Sequence, residues 1–204
     1  MIVLDIEASG VDFGKCGILQ IGAIDLDNPK NFFLEECRLD EEDLILNPLF
    51  GKPVLEILGK TEKELRDKRK QSPKEMLINF FKWASKIKIN NLICQNPQFD
   101  LAFIQTKARK YNLDIPFHYK ALDLHSIAQF KYFEINNCFF EDKLKNRLGL
   151  GLTEILKFCG IEDERNVHNA LEDAKLTAEC FFRLIHGKNL FSCFEKFKIP
   201  DYLR

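Results

Sequence analysis

The sequence lacks the cysteine spacing of zinc fingers and of disulfide-rich domains. Its seven cysteines are scattered along the chain, and none of them forms a C-x-x-C pair. It has no apolar run near the roughly 18 residues that a membrane-spanning helix needs. The first residues, up to Glu7, include two acids where a signal peptide would be apolar. Because free thiols suit a reducing compartment, we expect a cytoplasmic protein without a membrane partner.

An excess of positive charge is also missing. The 30 basic and 31 acidic residues leave a formal net charge of −1. A nucleic-acid partner would therefore have to be held by a local patch or by bound cations. One candidate patch is the segment 60–74 with its seven Lys and Arg residues, although a solvated charged face is the default interpretation. This balance excludes a protein that coats polyanions through its overall charge.

Length and composition predict a single domain. The chain has 204 residues, of which 46% are hydrophobic and 30% charged, an ordinary globular balance. It contains no internal repeat, low-complexity tract or linker. We therefore predict one domain over 1–204, with a core over about 1–186 and a C-terminal helical extension over 187–204.

The pattern of apolar residues predicts strands first and helices later. Three closely spaced strands are expected over 2–8, 17–26 and 31–39, which favours an antiparallel meander. Segment 40–73 is expected to be irregular. Short apolar runs predict two more strands, over 91–94 and 120–124. Helical spacing predicts helices over 74–88, 99–112, 152–159, 169–186 and 190–197, and one that follows the strand 120–124 and ends at about 133. A loop is expected over 134–151. This order is typical of an α/β protein with a mixed sheet.

Asp5 and Glu7 are the first acids that do not fit a buried strand. Residues i and i+2 of a strand point to one face, so the two carboxylates project together. Side by side and half-buried, they repel each other unless cations are present. An exposed strand end with solvated acids is the alternative, because a second D-x-E triplet occurs at Asp40 and Glu42.

Asp100 follows the predicted strand over 91–94 and lies in the first turn of the next helix. The helix dipole favours an acid at this position, which is a purely structural explanation. Ligands of parallel sheets, however, gather beyond the carboxyl ends of the strands, which is where Asp100 falls. Both interpretations stay open for this residue alone.

His168 and Asp173 flank the predicted start of a helix. Asn169 is a good N-cap, which places His168 on the incoming loop and Asp173 in the first turns. An imidazole and a carboxylate therefore come close together. A second pair with equal spacing, His118 and Asp123, competes with this one.

Taken in this order, the motifs resemble the DEDDh family of 3′→5′ exonucleases, which includes proofreading subunits, oligoribonuclease and ribonuclease T. The D-x-E motif of the family matches Asp5 and Glu7, and its second acid matches Asp100. Its H-x4-D motif matches His168 and Asp173. The similarity extends over about residues 1–186. It implies an α/β, ribonuclease H-like fold in which helices flank a five-stranded mixed sheet, built from a three-stranded antiparallel meander and two parallel strands.

The resemblance also implies a two-metal mechanism. Four carboxylates in one pocket require neutralisation, and oxygen ligands favour two Mg²⁺ or Mn²⁺ ions. By resemblance Asp5 binds both ions, while Glu7 and Asp173 complete one site. Asp100 would support the other ion through water. His168 would be the general base that releases nucleoside 5′-monophosphates from the 3′ ends of single-stranded DNA or RNA.

Substrate contacts and partners follow from the same resemblance. The backbone of Ala8, Ser9 and Gly10 would meet the terminal 3′-OH. Val11 and Phe103 are candidates to bracket the terminal base, although core packing is the default interpretation for Phe103. A DNA polymerase or a second copy of the chain is a further candidate partner. Two other functions stay open: a binding or polymerase-accessory module that has lost activity, and a different two-metal nuclease such as an endonuclease.

Overall fold

A five-stranded mixed sheet forms the centre of the protein. The computed structural model describes residues 1–47, 52–142 and 146–204. The strands follow the spatial order β3-β2-β1-β4-β5. They are β1 Ile2–Ala8, β2 Ile18–Asp25, β3 Phe32–Glu36, β4 Leu92–Cys94 and β5 Leu122–Asp123. The first three pair antiparallel, and β4 and β5 continue the sheet in parallel from β1. The predicted meander with two parallel strands is therefore confirmed.

Seven α-helices lie within the described ranges. They are α1 Val54–Leu58, α2 Glu62–Leu65, α3 Pro73–Ala84, α4 Pro97–Tyr111, α5 Leu124–Asn136, α6 Leu152–Phe158 and α7 Ala170–His186. Local chemistry explains where several begin. Ser72 caps α3 with a capping box to Glu75, and Pro73 occupies the first helical position. None of the helices in this part of the chain is long and apolar enough to cross a membrane.

Three predicted segments differ from the structure. The irregular segment 40–73 contains α1 and α2, and its residues 48–51 lie outside the described ranges. A capping box at Thr61 explains the start of α2. The predicted loop 134–151 includes a two-stranded ribbon, β6 Glu141–Asp142 with β7 Arg147–Leu148, while 143–145 are not described.

The helix predicted over 190–197 is wrong, because only a 3₁₀ turn at Ser192–Phe194 forms there. Side chains of α7 hold the backbone of this segment by hydrogen bonds. Glu179 Oε2 accepts from the N–H groups of Leu190 and Phe191, and Arg183 donates to the carbonyl of Phe194. Glu179 and Arg183 are themselves fully buried and paired at 2.8 Å. The extension is thereby attached to α7.

The two faces of the sheet pack against different helices. Leu4 and Ile6 of β1 join one hydrophobic cluster with α3 and α4. Val3 joins a second cluster, which includes residues of α5, α6 and α7. Because side chains alternate along a strand, Asp5 and Glu7 share the face of Val3. The strand therefore directs both carboxylates toward the side of the sheet covered by α7.

Candidate active site

The structure brings the five candidate catalytic residues to one cavity. Its volume is about 410 Å³, and its walls include the four carboxylates and the imidazole: Asp5, Glu7, Asp100, Asp173 and His168. They come from three separate parts of the chain, namely β1, the start of α4 and the start of α7. Two further cavities share walls with this one, through Glu7 and His168 on one side and Asn96 on the other. The acidic cluster therefore lies between two neighbouring cavities.

Asp100 reaches the cavity because the chain turns sharply after β4. Asn96, the N-cap of α4, has a φ of 67°, which a non-glycine residue adopts at few positions. Its N–H donates to Asp123 Oδ1 at 3.1 Å, so the ends of β4 and β5 are linked. Asp100 follows in the first helical turn and is almost fully buried.

Asp173 reaches the cavity from the first turns of α7. The Asn169 side chain accepts hydrogen bonds from the N–H groups of Leu171 and Glu172, as expected for an N-cap. The N–H of Ala170 donates to Gln20 Oε1 of β2 at 2.7 Å. Sequence reasoning missed Gln20, although a glutamine within an otherwise apolar strand was a signal for it.

An arginine that sequence reasoning also missed contacts Asp173. Arg165 Nη1 donates to Asp173 Oδ1 at 2.9 Å, and the Nδ1–H of His168 donates to Oδ2 at 3.1 Å. Asp163 and Thr153 hold the rest of the guanidinium. These hydrogen bonds, one to each oxygen, therefore fix the orientation of the Asp173 carboxylate. The sequence offered no periodic pattern that singles out Arg165.

The electrostatics of the cluster favour bound cations. Burial, with the charges of Asp100, Asp173 and Glu7, holds the pKa of Asp5 well above its usual range. Burial and the charge of Asp173 raise the pKa of Glu7 to about 7. Burial raises the pKa of Asp100 to about 8. Each shift reports the cost of an uncompensated negative charge.

The donor atoms of the cluster fit a divalent metal ion. Ligand atoms of Glu7, His168 and Asp173 lie within 4.8 Å of one another. Glu7 Oε1 is buried and has no hydrogen-bond partner within the described part of the chain. A buried carboxylate oxygen of this kind normally has a partner. Oxygen-rich ligand sets favour Mg²⁺ or Mn²⁺, and the imidazole nitrogen is an additional donor.

The segment after β1 has mainly structural contacts. Ser9 is fully buried; its hydroxyl donates to the carbonyl of Leu44 at 2.6 Å and accepts from the N–H of Gly17 at 2.9 Å. A Cβ at Gly10 would lie 2.7 Å from the carbonyl oxygen of Leu46. The N–H of Ser9 also donates to the carbonyl of Gly17, and the carbonyl of Ser9 accepts from the N–H of Leu46. Both the side chain and the backbone of Ser9 therefore have partners within the protein.

One predicted base contact is corrected by the structure. Phe103 is 0% exposed and belongs to the core between the sheet and α4, so its ring has no surface to offer a nucleotide. The ring of Phe13 lies edge-on to it at 6.5 Å and is 50% exposed. Val11 is 62% exposed. Val11 and Phe13 therefore present exposed apolar side chains after the end of β1, while Phe99 and Leu152 line the acidic cavity itself.

The basic segment 60–74 is balanced by neighbouring acids. Its ion pairs are Lys60 and Lys70 with Glu36, Arg66 with Glu62, Lys68 with Glu41 and Arg69 with Asp67. Lys60 alone among these cations lines a cavity with Glu7 and His168. The default interpretation, a solvated charged face, fits this segment.

The competing pair, His118 and Asp123, is not among the residues that line the acidic cavity. His118 accepts from the N–H of Lys120 at 3.1 Å, and its ring stacks on Tyr119 at 4.5 Å. Asp123 caps α5 through the N–H groups of His125 and Ser126. Both residues therefore have local structural partners, and neither lines the cavity that holds the other acids.

Two curated polymerase proteins are similar to this chain. It is 28% identical over 203 residues to the DNA polymerase III subunit epsilon of Buchnera aphidicola subsp. Baizongia pistaciae, covering 96% of this chain and 74% of that one. It is 27% identical over 193 residues to the PolC-type DNA polymerase III of Caldanaerobacter subterraneus subsp. tengcongensis, covering 90% of this chain. The match spans only 11% of that polymerase.

Solved structures of a larger nuclease share the fold. The E. coli Exonuclease I complex with a dT13 oligonucleotide superposes with a TM-score of 0.69 at 16% identity, covering 89% of this chain and 40% of that one. Apo Exonuclease I gives a TM-score of 0.70, also at 16% identity, and covers 92% of this chain and 42% of that one. The shared architecture is the ribonuclease H-like sheet and its flanking helices.

A model of the exonuclease family, RNase_T, matches residues 2–181. This range includes all four clustered carboxylates and His168. The match covers most of the chain, and the sheet order agrees with the shared architecture. The chain therefore belongs to the exonuclease family, the group of DEDDh 3′→5′ exonucleases.

Proposed function

We propose that this chain is a metal-dependent 3′→5′ exonuclease. It hydrolyses phosphodiester bonds at the 3′ end of single-stranded DNA or RNA and releases nucleoside 5′-monophosphates. The observation that carries the proposal is the convergence of four buried or half-buried carboxylates and one imidazole on a single cavity. Such a cluster has little structural use, because burial and neighbouring charges destabilise the ionised forms of Asp5, Glu7 and Asp100.

The carboxylates would hold two divalent ions, Mg²⁺ or Mn²⁺. Asp5 is assigned to both ions, Glu7 and Asp173 to one, and Asp100 to the other. When bound, the ions supply positive charge to the attacking and leaving oxygens of an in-line phosphoryl displacement. Glu7 Oε1, buried and without a hydrogen-bond partner within the described residues, supports this assignment. Arg165 keeps Asp173 oriented.

His168 would remove the proton from the attacking water. Its side chain is half-exposed and lines the cavity. The Asp173 carboxylate accepts from Nδ1–H and thus fixes the tautomer, which leaves Nε2 as the basic atom. This hydrogen bond also raises the pKa of His168 above its usual value, so the imidazole is a stronger base.

The 3′-terminal nucleotide would lie beside the end of β1. The backbone of Ala8 to Gly10 meets the terminal 3′-OH, and Val11 and Phe13 contact the terminal base. Exposed apolar side chains at these two positions support this placement. The preference for a single strand follows from the contact with an unpaired base, which a duplex end does not offer.

The relatives suggest a partner. The names of the two similar proteins place one as a subunit of DNA polymerase III and the other as a PolC-type polymerase. Association with a DNA polymerase is therefore our first choice, and self-association into a homodimer is the second. A cytoplasmic location fits the free thiols, since all seven cysteines are unpaired.

Digestion of labelled oligonucleotides tests the activity. With Mg²⁺ or Mn²⁺, a 5′-labelled single strand should shorten as a ladder, while a covalently closed circle should survive. The Asp173→Asn variant is the matched control, because an amide keeps the size of the side chain. It should stay folded, and its cleavage rate should fall by more than about 100-fold. Substitution of a residue that only hydrogen-bonds to a metal ligand already costs about 10–100-fold in activity, and a ligand itself should cost more. Linear products from the circle would identify an endonuclease, and intact substrates would identify a module without activity.

A further inference from the structure

One strand, β2, contacts the start of α7 beside the acidic cluster. We propose that Gln20 of β2 is a positioning residue that sets where His168 and Asp173 lie relative to Asp5 and Glu7. The proposal rests on the proposed function, because it assigns Gln20 a part in assembling that site. Gln20 is assigned no bond to metal or substrate; it acts through the backbone of α7.

The register of the sheet places Gln20 next to the site. In the antiparallel pair of β1 and β2, Gln20 lies opposite Glu7 and Gly22 lies opposite Asp5. Side chains of opposite residues point to the same face, with Cβ atoms about 4.5–5.5 Å apart. The residues of β2 that face α7 are therefore the direct neighbours of the two carboxylates on β1.

Gln20 supplies an acceptor that the helix start needs. The first N–H groups of a helix have no partner within the helix. Asn169 accepts from two of them, those of Leu171 and Glu172. The N–H of Ala170 instead donates to Gln20 Oε1 at 2.7 Å, a buried bond between residues 150 positions apart in the chain. This bond connects the sheet directly to the first residue of α7.

Gly22 fixes the distance between the sheet and the helix. A Cβ at Gly22 would lie 2.2 Å from the carbonyl carbon of Ala170 and 2.2 Å from the nitrogen of Leu171. The helix backbone therefore rests on the strand with no side chain between them. The contact at Gly22 sets how closely α7 can approach the sheet. The hydrogen bond from Ala170 to Gln20 limits movement of α7 along the sheet.

The position of Ala170 determines the geometry of the site. His168 lies two residues before it and Asp173 three residues after it. Asp5 and Glu7 belong to the strand paired with β2, so the Gln20 bond joins the two halves of the cluster. A misplacement of about 1 Å at a catalytic group can lower a rate by about 100-fold. Loss of the Gln20 acceptor should therefore affect turnover more than substrate binding.

The test compares two substitutions at one position. Gln20→Leu removes the acceptor, and Gln20→Glu keeps it. With a single-stranded oligonucleotide and saturating Mn²⁺, Gln20→Leu should lower kcat by about 10- to 100-fold with KM changed less than about threefold. Gln20→Glu should restore kcat to within about threefold of the original chain. Saturating metal is needed because the new carboxylate lies beside Glu7.

A matched control separates positioning from lost stability. Leu184→Ala lies in the C-terminal half of the same helix, is buried, and should lower Tm because it leaves a cavity in the core. It should lower Tm at least as much as Gln20→Leu and leave kcat unchanged. A kcat equally reduced in Leu184→Ala, or a Gln20→Glu variant as slow as Gln20→Leu, would overturn the proposal.

Two readouts do not depend on turnover. In Gln20→Leu, the amides of 170–173 should exchange hydrogen faster, and calorimetry should show weaker binding of Mn²⁺ by about tenfold. If the original chain binds Mn²⁺ but cleaves nothing, the proposed function fails while these measurements still test Gln20. Unchanged exchange and unchanged Mn²⁺ affinity in Gln20→Leu would refute the positioning role.

Discussion

Arg165 donates a hydrogen bond to Asp173 at 2.9 Å and so places a permanent positive charge beside a carboxylate of the site. Burial is the largest cause that raises the pKa of Asp5 and Glu7, and the positive charge of Arg165 lowers both pKa values in part. The guanidinium is held in place by Asp163 and is almost fully buried. In the metal-free protein, Arg165 thus supplies part of the positive charge that compensates the clustered carboxylates.

Arg165→Gln should destabilise the metal-free protein. Removal of one partner from a buried ion pair typically costs about 3–5 kcal/mol, because the remaining charge is left without compensation. The Tm measured with a chelator should therefore fall, and the loss should shrink when Mg²⁺ is added. Arg165→Lys keeps the charge and should lose less. An unchanged Tm in the chelator would contradict this role of Arg165.

Stability without metal should decrease as the pH rises. The pKa values of Glu7 and Asp100 are raised to about 7 and about 8 in the folded protein, mainly by burial. Carboxyl groups of an unfolded chain have a pKa of about 4. Between about pH 4 and about pH 8, these carboxyl groups are ionised in the unfolded chain but still protonated in the folded protein. The free energy of unfolding therefore decreases as the pH rises through this range. His168 acts in the same direction, because its pKa is also raised, chiefly by the bond to Asp173.

Melting curves with a chelator at pH 5 and pH 8 measure this effect. The Tm should be lower at pH 8, and Mg²⁺ should raise the Tm more at pH 8 than at pH 5, since an ion that binds the native state stabilises it. Glu7→Gln is the control and should flatten the pH dependence. Equal Tm values at both pH values would show that the acids are not destabilised by burial.

His168→Ala and His118→Ala should differ strongly in activity. A general base contributes about 10²–10⁴-fold, so His168→Ala should lower kcat by that factor with little change in KM. His118 stacks on Tyr119 outside the acidic cavity, and its loss should cost less than about tenfold. Steady-state kinetics with one oligonucleotide decides between them. If His118→Ala loses activity and His168→Ala keeps it, His168 is not the general base and the assignment passes to His118.

Phe13→Ala should weaken substrate binding. Stacking of a base on an aromatic ring contributes about 1–3 kcal/mol, so KM should rise by about tenfold or more while kcat changes little. Phe32→Ala is the matched control, because Phe32 is equally exposed but lies on the edge strand β3. Equal effects of the two substitutions on KM would exclude a specific contact at Phe13.

Much of the fold and the central acids followed from local patterns. Alternation and turn signals predicted the meander, whereas the grouping of Asp5, Asp100 and His168 into one site came from the resemblance of the ordered motifs to the exonuclease family. Gln20 and Arg165 were missed because their roles depend on partners that no local pattern reveals. The segment 190–197 was misassigned, since its backbone is held by side chains of α7, which lie outside the segment, whereas Phe103 takes the core position that was its default interpretation.

The contact of α7 with Gly22 restricts how this site can evolve. A methyl group at position 22 would overlap the backbone at Ala170, so any larger residue requires the helix to move outward. Such a movement would separate carboxylates that must act together. Because the contact is with backbone atoms, no change of side chain at position 170 relieves it, and we expect position 22 to remain glycine among relatives that keep the site. A lineage that enlarges position 22 should also carry changes in the acidic cluster, and such lineages are where loss of nuclease activity should be sought.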